Sequence, residues 1–492
     1  MTSRLDRITE QRLDSLSRMR ARGIDPYPHS YHPSHTIREA IDLFVGHEAE
    51  ASHYSVSLAG RIISRRSIGK MSFLDIRDSS GKIQLSLRYD LLGRERYELL
   101  QDIDIGDIIG ASGKLFRTKT GELTVEVSDF TLLSKSLRPL PEKWHGLADV
   151  EKRYRQRYLD LISNEDSRTI FVLRNKTITA VRRFFDSRGF VEVETPVLQP
   201  HAGGALARPF ITHHHTLDED LYLRIALELH LKRLVVGGFD RVYEIGRVFR
   251  NEGISVEHNP EFTLLECYQA YADYHDIMTL VEEMFAYVAR EVLGNTRLTR
   301  NGQIIDLGLP WQRVHLREAI KDHCGIDFED YPDAAALRRR MGELGIEVEP
   351  TRGKGRLIEE LLSTFVEPKL VQPTFLLDYP VEMSPLAKRK RGDGHLVERF
   401  EGFVDGMEVA NAFTELNDPV EQRERFRQQL KERVADEEAE IADEDFLQAL
   451  EYGMPPTGGL GVGIDRLVML LTGQQSIREV ILFPQLKTKP EA

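Results

Sequence analysis

The chain begins with apolar residues at helical spacing and then changes to short segments typical of β-strands. Apolar side chains recur every three to five positions within residues 2–22, and Gly23 followed by Asp25-Pro26 is a stop signal, so we predict a helix there. Five strand-like segments follow: Ser55–Ala59, Met71–Arg77, Lys82–Leu87, Ile108–Phe116 and Leu123–Leu132. Five short strands in about 80 residues favour a small Greek-key barrel of the oligonucleotide-binding type.

The rest of the chain predicts a second, larger region of mixed α+β structure. Arg138-Pro139-Leu140-Pro141 is typical of a linker, which we place at residues 138–150. Beyond it, helical patterns alternate with strand-like segments, and the helical patterns cover residues 169–188, 275–293 and 420–450. A charged, locally helical stretch at about 325–370 indicates an insertion. The predicted organisation is a helical extension over 1–53, the barrel over 54–137 and one further domain over 151–492.

Composition indicates a folded, globular protein without a membrane-spanning helix. The 492 residues are 41% hydrophobic and 29% charged, which is ordinary for a globular chain. No stretch without Asp, Glu, Lys or Arg is longer than the thirteen residues from Tyr452 to Ile464, whereas a membrane helix needs about 18 to 20. Residues 1–22 are too rich in charge for a secretory leader. Cys267 and Cys324 form no zinc-binding pattern, and we expect a cytoplasmic protein.

The net charge of −13 is unevenly distributed. Residues 1–150 carry 22 basic and 21 acidic side chains, so the excess of acid falls on the second region. The basic side chains within residues 61–70 are Arg61, Arg65, Arg66 and Lys70, with no acid among them. Because phosphate binding needs a local basic stripe rather than a basic protein, the predicted barrel is a candidate for binding nucleic acid.

The common nucleotide and metal motifs are missing from the sequence. No Gly-Lys pair is followed by Ser or Thr, as a P-loop requires, and Gly459–Gly463 lacks the spacing of a dinucleotide fingerprint. Three consecutive histidines at 213–215 suggest a metal cluster. Neighbouring residues of a strand point to opposite faces, however, so we favour solvated or packed histidines.

Residues 241–270 predict an antiparallel hairpin with a polar face. The register that pairs Arg250 with Phe262 also places Gly246 opposite Glu266, and these even-numbered positions share one face. Such a face offers an aromatic ring for a base, a guanidinium for a phosphate or carboxylate, and a carboxylate for an ammonium. A purely structural hairpin held by salt bridges is the alternative that the pattern leaves open.

A second hairpin is predicted by the turn signal Asp405-Gly406. It places Phe403 opposite Glu408 and Glu401 opposite Ala410, so that Glu401 and Glu408 become diagonal neighbours able to share Mg²⁺. The next polar or aromatic positions alternate on the other face: Asn411, Phe413 and Glu415. If all of them serve one site, a β-bulge must intervene between Glu408 and Asn411.

A third feature is the glycine-rich strand Gly459–Gly463, followed by Arg466 where a helix begins. A strand of this kind lets another group approach the backbone closely, and an arginine at a helix start favours an anionic ligand. Glycine packing beside a structural arginine is the alternative.

Together these segments resemble the class II lysyl-tRNA synthetases over nearly the whole chain. The segments that resemble the three motifs of the class are Gly189–Pro196, Phe249–Glu252 with His258–Phe262, and Gly461–Arg466. The first of these motifs builds the dimer interface in that class. The segments that indicate the lysine enzymes within the class are Tyr154–Tyr158, Arg208–Thr212 and Asn411–Asp418.

The resemblance implies a catalytic domain with an antiparallel sheet over residues 151–492, and an OB-fold over 54–137 that reads the anticodon. It implies a homodimer that ligates L-lysine to tRNA(Lys) with ATP: lysine and ATP give lysyl-adenylate and pyrophosphate, and the acyl group then passes to tRNA with release of AMP. The first step needs no general base, because a carboxylate with a pKa near 3.5 is already ionised at neutral pH. It needs positive charge that holds two anions together.

The resemblance also implies roles for individual residues, with Arg250 and Arg466 as the catalytic pair. The residues implied in ATP binding are Arg250, Glu252, His258, Phe262 and Arg466. Those implied in lysine binding are Gly204, Glu228, Arg250, Glu266, Tyr268, Asn411, Phe413 and Glu415. Glu401 and Glu408 resemble ligands of Mg²⁺, of which we expect more than one ion per site. Phe73, Gln84 and Glu122 resemble anticodon-binding residues, with core packing of Phe73 as the alternative.

The acids of the implied lysine site have a physical meaning of their own. Buried carboxylates without a cation cost several kcal/mol each, so acids around one narrow pocket require a cationic ligand. Glu266 and Glu415 thus argue against the related aspartate and asparagine enzymes, whose substrates are not cationic at the side chain. Glu257 departs from many bacterial members, which carry an arginine there directed at the γ-phosphate.

Two functions from other classes stay open at this point. A non-catalytic RNA-binding protein on this scaffold would have no need of both Arg250 and Arg466 or of the Glu401 and Glu408 pair. An enzyme that lysylates a protein instead of tRNA usually lacks the barrel. The residues and the barrel both favour the tRNA ligase.

Overall fold

The computed structural model describes residues 4–46, 54–141, 147, 149–205, 207–350, 352–433 and 443–487. The predicted segments that fall outside the described residues are 1–3 and 47–53 of the extension, 142–146 and 148 of the linker, and 434–442 of the helical region. The chain divides into two compact units, Met1–Ala148 and Asp149–Ala492. Each is described by itself below.

The first unit contains a closed β-barrel preceded by helices. Its elements are α1 (Arg4–Ala21), α2 (Ile37–Gly46), β1 (Ser55–Ile68), β2 (Met71–Arg77), β3 (Lys82–Arg88), α3 (Tyr89–Glu98), β4 (Ile108–Arg117) and β5 (Leu123–Ser134). The barrel closes in the order β1-β2-β3-β5-β4. Strands β3 and β5 pair in parallel, and the other neighbours are antiparallel. The predicted OB-fold is confirmed.

Strand β1 is longer than the sequence predicts. It continues from Ala59 to Ile68 because its first half pairs with β4 and its second half with β2. A β-bulge between Ile62 and Ser64 bends the strand from one partner to the other, which is how a small barrel closes. The arginines of the second half obscure the alternation in the sequence, since Arg65 and Arg66 occupy consecutive positions.

The second unit contains the remaining elements. Its helices are α4 (Val150–Arg155), α5 (Arg157–Ser163), α6 (Glu165–Asp186), α7 (Glu228–Val236), α8 (Tyr274–Leu293), α9 (Leu316–Cys324), α10 (Ala334–Glu343), α11 (Lys354–Leu361), α12 (Pro419–Arg433), α13 (Glu444–Glu451), α14 (Ile464–Thr472) and α15 (Ile477–Val480). Its strands are β6 (Val191–Glu192), β7 (Leu198–Gln199), β8 (Ile211–His214), β9 (Glu219–Leu223), β10 (Arg241–Phe249), β11 (Glu261–Ala270), β12 (Arg297–Arg300), β13 (Gln303–Asp306), β14 (Gln312–His315), β15 (Thr374–Pro380), β16 (Arg389–Lys390), β17 (Asp393–Val404), β18 (Met407–Thr414) and β19 (Thr457–Gly463).

A large sheet organises this unit. Its strand order is β14-β15-β17-β18-β19-β11-β10-β6, and β16 pairs with β17. The central pairs are antiparallel, and only the outermost pairs among the described strands, β14 with β15 and β10 with β6, are parallel. Smaller sheets join β12 to β13 and β7 to β9 and β8. The predicted α+β class is therefore confirmed.

One face of the large sheet is packed against helices α6, α8 and α14. Alternate residues of the central strands enter this core, for example Leu265 and Cys267 of β11 and Leu460 and Val462 of β19. Because side chains alternate along a strand, the residues between them project from the opposite face. That opposite face carries the polar residues that the sequence analysis singled out. The helical stretch predicted at about 325–370 contains α10 and α11, and no helix of the described residues is long and apolar enough to cross a membrane.

Candidate active site

Two glycines of β19 lie at the centre of the polar face of the large sheet. The register of β11, β19 and β18 aligns Glu266, Gly461 and Asn411 in one row, and Tyr268, Gly459 and Phe413 in the next. Gly461 leaves space between the side chains of the neighbouring strands, whereas the space over Gly459 is taken by Oε1 of Glu415 and the ring of Tyr268. We call this surface, above Gly459 and Gly461, the glycine trough.

The hairpin of β10 and β11 has the predicted face but not the predicted register. Val248, not Arg250, pairs with Phe262, and Glu244, not Gly246, pairs with Glu266. The shift is two residues, so the even-numbered positions still share one face. Arg250 lies just beyond the end of β10, where its backbone N–H donates to the Pro260 carbonyl at 2.8 Å.

The space that Gly246 provides is not part of the trough. A Cβ atom at Gly246 would lie 2.2 Å from a terminal nitrogen of Arg224, so the glycine accommodates that guanidinium. Arg224 in turn forms an ion pair with Glu244 at 2.6 Å, and both side chains are buried. The predicted role of Gly246 as space opposite Glu266 is therefore wrong.

The acids predicted to bind lysine converge on one end of the trough. Glu266 is buried; its Oε1 accepts from the Leu227 N–H at 3.0 Å and its Oε2 from the Tyr268 hydroxyl at 3.1 Å. Burial, together with the charge of Glu228, raises the pKa of Glu266 to about 8. Burial also raises the pKa of Glu415 well above its usual range, an effect that Lys232 only partly opposes. Neither oxygen of the Glu415 carboxylate has a hydrogen-bond partner among the described residues, and Oε2 is held by an ion pair with Lys232.

Lys232, which the sequence analysis missed, lies between these acids. It is fully buried and forms ion pairs with Glu228 and with Oε2 of Glu415. Burial alone would lower the pKa of Lys232, but the carboxylates of Glu228 and Glu415 raise it above its ordinary value. Its spacing from Glu228, four residues along α7, is the sequence signal that could have found it.

Of the remaining residues predicted to bind lysine, Asn411 and Phe413 lie beside the glycine trough, and Gly204 lies against Glu228. Gly204 has a positive φ of +87° and would place a Cβ 3.1 Å from the Cβ of Glu228, so it lies against that acid. Asn411 accepts at Oδ1 from Nε of Arg399 at 3.1 Å. The ring of Phe413 lies 5.5 Å from the Lys232 ammonium.

Three of the residues predicted to bind ATP lie where β10 ends, where β11 begins and where α14 begins. The Arg250 guanidinium lies 5.2 Å from the centre of the Phe262 ring and donates from Nε to the Ile225 carbonyl at 3.3 Å. Arg466, in the first turn of α14, donates to the carboxylate of Glu408 at 3.0 Å. Burial lowers the pKa of Arg250, although the nearby acids oppose this.

The loop between β10 and β11 holds the other predicted ATP contacts, and it is exposed. Glu252, Glu257 and His258 all face solvent. The Ser255 hydroxyl lies 2.9 Å from Nδ1 of His258 and accepts from the backbone N–H of both Glu257 and His258. The loop is thus internally organised, while its acidic and imidazole side chains stay accessible.

The predicted acidic pair sits where β17 meets β18. The predicted pairs Val404 with Met407 and Phe403 with Glu408 are confirmed, but Glu401 pairs with Asn411 rather than with Ala410. The extra residue is Val409, which forms the bulge that the sequence analysis required.

Both members of the acidic pair already contact cations. Glu401 forms an ion pair with Arg399 and accepts from the Tyr379 hydroxyl at 2.7 Å, while Glu408 contacts Arg466. Burial raises the pKa of Glu401 to about 7, with Glu408 adding to the effect and Arg399 opposing it. Oxygen donors of this kind are the ones that Mg²⁺ prefers, so the residues present fit that ion.

A third carboxyl group near this pair was missed by the sequence analysis. Burial and the charges of Glu401 and Glu408 raise the pKa of Glu367 to about 7. Glu367 lies near the end of the predicted helical insertion, and nothing in its local sequence signals a position near the sheet. Among the described residues, no group of three or more His, Cys, Asp or Glu side chains is arranged to hold a metal ion.

The barrel presents Phe73 away from its core. Leu74 and Ile76 of the same strand are fully buried in that core, whereas Phe73 is partly exposed and lies 5.3 Å beneath the Arg66 guanidinium. The alternative of core packing for Phe73 is therefore wrong. Gln84 is buried and accepts from the Thr124 hydroxyl at 3.0 Å.

Glu122 is exposed, and the basic stripe of the barrel is only partly available to ligands. Arg61 donates to the Gly106 carbonyl at 2.7 Å, and Arg65 donates to two backbone carbonyls at 2.7 Å each. These two arginines hold the barrel together. Lys70, in contrast, extends over the ring of Tyr89 at 5.2 Å.

Comparison with known proteins places this geometry in a family. A family model described as "tRNA synthetases class II (D, K and N)" matches residues 149–487, and one described as "OB-fold nucleic acid binding domain" matches residues 56–133. The lysine–tRNA ligase of Dehalococcoides mccartyi is 58% identical over 488 residues, which cover 98% of each chain. That of Moorella thermoacetica is 58% identical over 484 residues, with 98% of each chain covered. That of Carboxydothermus hydrogenoformans is 54% identical over 486 residues, with 99% of each covered.

These matches include both the barrel and the large sheet, and they confirm the resemblance inferred from the motifs. The chain therefore belongs to the lysine–tRNA ligase family of the class II tRNA synthetases.

Proposed function

We propose that the glycine trough binds L-lysine and that ATP binds beside it, over Phe262 and between Arg250 and Arg466. The chain catalyses the ATP-dependent ligation of lysine to tRNA(Lys) through a lysyl-adenylate, with release of pyrophosphate and AMP. The observation that carries the assignment of the site is the buried carboxylate of Glu415, whose Oε1 lies directly over Gly459 and has no hydrogen-bond partner among the described residues. A buried acceptor of this kind requires a donor, and an ammonium group supplies one.

The reaction follows from the charges around the trough. The lysine carboxylate and the α-phosphate of ATP repel each other, and Arg250 lies where one guanidinium can contact both. Its planar fork also stabilises negative charge that develops on the phosphate during attack. Arg466 is placed to hold the outer phosphates once it leaves Glu408. Holding the two anions in reacting geometry is the main task, because the carboxylate needs no deprotonation.

Specificity for lysine follows from the acids at the closed end. Glu228 is assigned to the α-ammonium, and Glu266, Tyr268 and Glu415 to the ε-ammonium. An uncharged isostere of lysine would leave buried carboxylates without a partner, so it should be rejected strongly. An acidic side chain would be repelled, which disfavours aspartate.

The experiment that tests this function is ATP–pyrophosphate exchange with a panel of amino acids, followed by charging of tRNA. We expect exchange with lysine alone, and transfer of lysine to tRNA(Lys). Norleucine, aspartate and asparagine serve as the comparison. Norleucine has an apolar side chain without the ε-ammonium, and aspartate and asparagine are the substrates of the related enzymes. Exchange with aspartate or asparagine at the rate seen with lysine would contradict the assignment.

We propose that Glu401 and Glu408 hold Mg²⁺ when ATP is bound, with more than one ion per site. Bound Mg²⁺ neutralises phosphate charge and makes pyrophosphate a better leaving group. The residues of the chain contribute by orientation, since Arg399 and Tyr379 fix the two oxygens of Glu401. Such supporting contacts are typical of ligands that must be held in place.

Replacing Glu408 with glutamine tests the magnesium assignment. We expect the Mg²⁺ concentration for half-maximal pyrophosphate exchange to rise about 10- to 100-fold, because one anionic ligand is lost. The measurement is exchange rate against Mg²⁺ at fixed ATP and lysine. Glu291→Gln, on an exposed position of α8, is the matched control and should leave the Mg²⁺ dependence unchanged. An unchanged Mg²⁺ requirement in Glu408→Gln would contradict the assignment.

Lysine binding should release protons near neutral pH. With a pKa of about 8, the Glu266 carboxyl is mostly protonated in the free chain at pH 7, and it faces Glu228, Arg250, Tyr268 and Glu415. An ammonium favours the ionised carboxylate, so binding lowers this pKa and drives the proton off. By linkage, affinity for lysine must then rise as pH increases from 6 toward 8, by at most about tenfold per unit for one proton.

Calorimetry of lysine binding in buffers of different ionisation enthalpy measures this proton release. The expected result is release of up to about 0.9 proton per lysine at pH 7, the protonated fraction of a group with a pKa of about 8. Glu266→Gln removes the titrating group and should bind lysine more weakly, with fewer protons released. Affinity that is independent of pH between 6 and 8 in the unaltered chain would contradict the prediction.

We propose that the barrel reads the anticodon through Phe73, Gln84 and Glu122. Support comes from Phe73, which is partly exposed beside Arg66 and therefore offers a ring face and a positive charge to a base and its phosphate. Stacking of one base on an aromatic ring contributes about 1 to 3 kcal/mol. Loss of Phe73 should weaken tRNA charging without changing pyrophosphate exchange, which needs no tRNA.

We also propose a cytoplasmic homodimer. Support for association comes from the edge of the large sheet, where β6 is short and the apolar side chains of Val191, Phe239 and Tyr271 are exposed around a cavity of about 610 Å³. Apolar groups clustered at a sheet edge are typical of an interface. Sedimentation at micromolar concentration tests this, and a monomer would contradict it.

A further inference from the structure

Lys232 introduces a cation of the chain itself into a pocket assigned to a cationic substrate. Its side chain is fully buried, and the rings of Tyr268, Phe413 and Phe446 lie 6.0, 5.5 and 5.9 Å from its ammonium. These rings exclude water, so the ammonium depends on its two carboxylate partners. The partners are Glu228, one helical turn earlier, and Glu415, which comes from beyond the end of β18.

The ion pair of Lys232 with Glu415 is made to one oxygen of the carboxylate, Oε2. The other oxygen, Oε1, is the one that faces the trough: a Cβ added to Gly459 would lie 1.8 Å from Oε1. The two oxygens of one carboxylate thus have separate roles. One is held from behind by Lys232, and the other is left for a donor in the trough.

The charges balance only when Lys232 is included. Three carboxylates, Glu228, Glu266 and Glu415, face two ammonium groups of a bound lysine. One negative charge would be left over in a buried place, at high cost. Lys232 supplies the missing positive charge, while the substrate carboxylate is matched by Arg250.

We propose that Lys232 is a positioning residue for lysine recognition, which joins Glu228 to Glu415 and holds Oε2 of Glu415 so that Oε1 is left for a donor of the substrate. This inference rests on the proposed lysine site. Glu228 is assigned to the α-ammonium of the substrate and Glu415 to the ε-ammonium. Because Lys232 contacts both acids, it keeps the distance between them fixed. A separation fixed in this way favours a side chain of one length.

The test is the substitution Lys232→Met, which keeps an unbranched side chain and removes the charge. We expect KM for lysine to rise about 10- to 100-fold at pH 7, the range seen when a residue that orients a ligand-binding group is lost. KM for ATP should change little, because Arg250, Phe262 and Arg466 are not in contact with Lys232. The penalty should also be smaller at pH 8.5 than at pH 7, since Glu415 regains its charge as pH rises.

The pH dependence separates positioning from simple packing. A lysine that only fills space would give a penalty that is the same at both pH values, and this result would overturn the proposal. The titratable groups that face Glu415 are Lys232 and Glu228 from α7, and Glu266 and Tyr268 from β11. Lys232→Met removes the first of these and leaves the other three unchanged.

A second variant covers the case in which Lys232→Met does not fold. Lys232→Met with Glu415→Gln removes one positive and one negative charge together, so the net charge of the pocket is unchanged and Glu228 is the one partner of Lys232 that keeps its carboxylate. We expect its KM for lysine to be within about threefold of that of Glu415→Gln alone, because Lys232 acts through Glu415. A much larger KM in the double variant would overturn the proposal.

The same experiments distinguish failure of this inference from failure of the site. If Glu415→Gln leaves KM for lysine unchanged, the assignment of the trough itself is wrong. If Glu415→Gln raises KM while Lys232→Met does not, the trough stands and only the role of Lys232 is overturned.

Discussion

Replacing Arg250 with alanine is expected to lower kcat/KM for lysine-dependent pyrophosphate exchange by about 10³-fold. Removal of a single donor that stabilises a developing anion costs about 10²- to 10³-fold, and Arg250 is charged and positioned to contact two anions at once. Its guanidinium is fixed by the Ile225 carbonyl at 3.3 Å and by the ring of Phe262 at 5.2 Å, so it is already oriented before ligands arrive. Orientation in advance is what makes such a group effective.

Arg250→Lys and Arg247→Ala complete this experiment. Arg250→Lys keeps the charge but loses the planar fork, and we expect it to recover only part of the activity. Arg247 is exposed in the same strand, β10, so Arg247→Ala should retain activity within about twofold. The measurement is exchange at saturating ATP over a range of lysine concentrations. Full adenylation by Arg250→Ala would exclude the mechanism.

The two hairpins show how far register can be predicted from sequence. Asp405 and Gly406 both have positive φ, at 55° and 73°, as the two-residue turn predicted from their identities requires. The turn fixes the first pairs, and the prediction is right up to Glu408. Beyond Val409 the bulge shifts the pairing, and no local pattern reveals where a bulge falls.

The hairpin of β10 and β11 illustrates the opposite case. A long polar loop, residues 251–260, joins its strands, so no turn type fixes the register. The hydrophobic alternation still determines which residues share a face, because a slip of one residue would turn Leu265 and Cys267 away from the core. A slip of two residues preserves that face. The prediction therefore had the right face and the wrong pairs.

The contacts that the sequence analysis missed all depend on distant segments. Lys232 is four residues from Glu228, but its second partner, Glu415, comes from another part of the chain. Arg224 fills the space over Gly246, and Glu367 approaches the acidic pair from the end of the helical insertion. Alternation and turn signals describe neighbours within a strand or hairpin, and they hold no information on such encounters.

Substituting alanine for Gly459 is expected to lower kcat/KM for lysine by about 10³-fold, the second large effect. The new Cβ would clash with Glu415 and Tyr268, because it would lie 1.8 Å from Oε1 of Glu415 and 2.7 Å from Cε1 of Tyr268. Glu415 would have to turn its free oxygen away from the trough. Loss of one buried charged contact costs about 4 kcal/mol, which corresponds to about 10³-fold in binding.

Gly461→Ala is the matched control for this prediction, because it makes the same chemical change on the same strand and the same face. There a Cβ would lie 3.8 Å from the Asn411 carbonyl and 3.9 Å from Cγ of Glu266, which are ordinary contacts. We expect Gly461→Ala to keep Glu415 in place and to lose far less lysine affinity than Gly459→Ala. KM for lysine and for ATP, with thermal unfolding of each variant, provides the comparison. If the two variants lose equal affinity for lysine, binding depends on the glycine floor as a whole and not on the contact between Glu415 and the substrate. The assignment of Glu415 to the ε-ammonium would then be wrong.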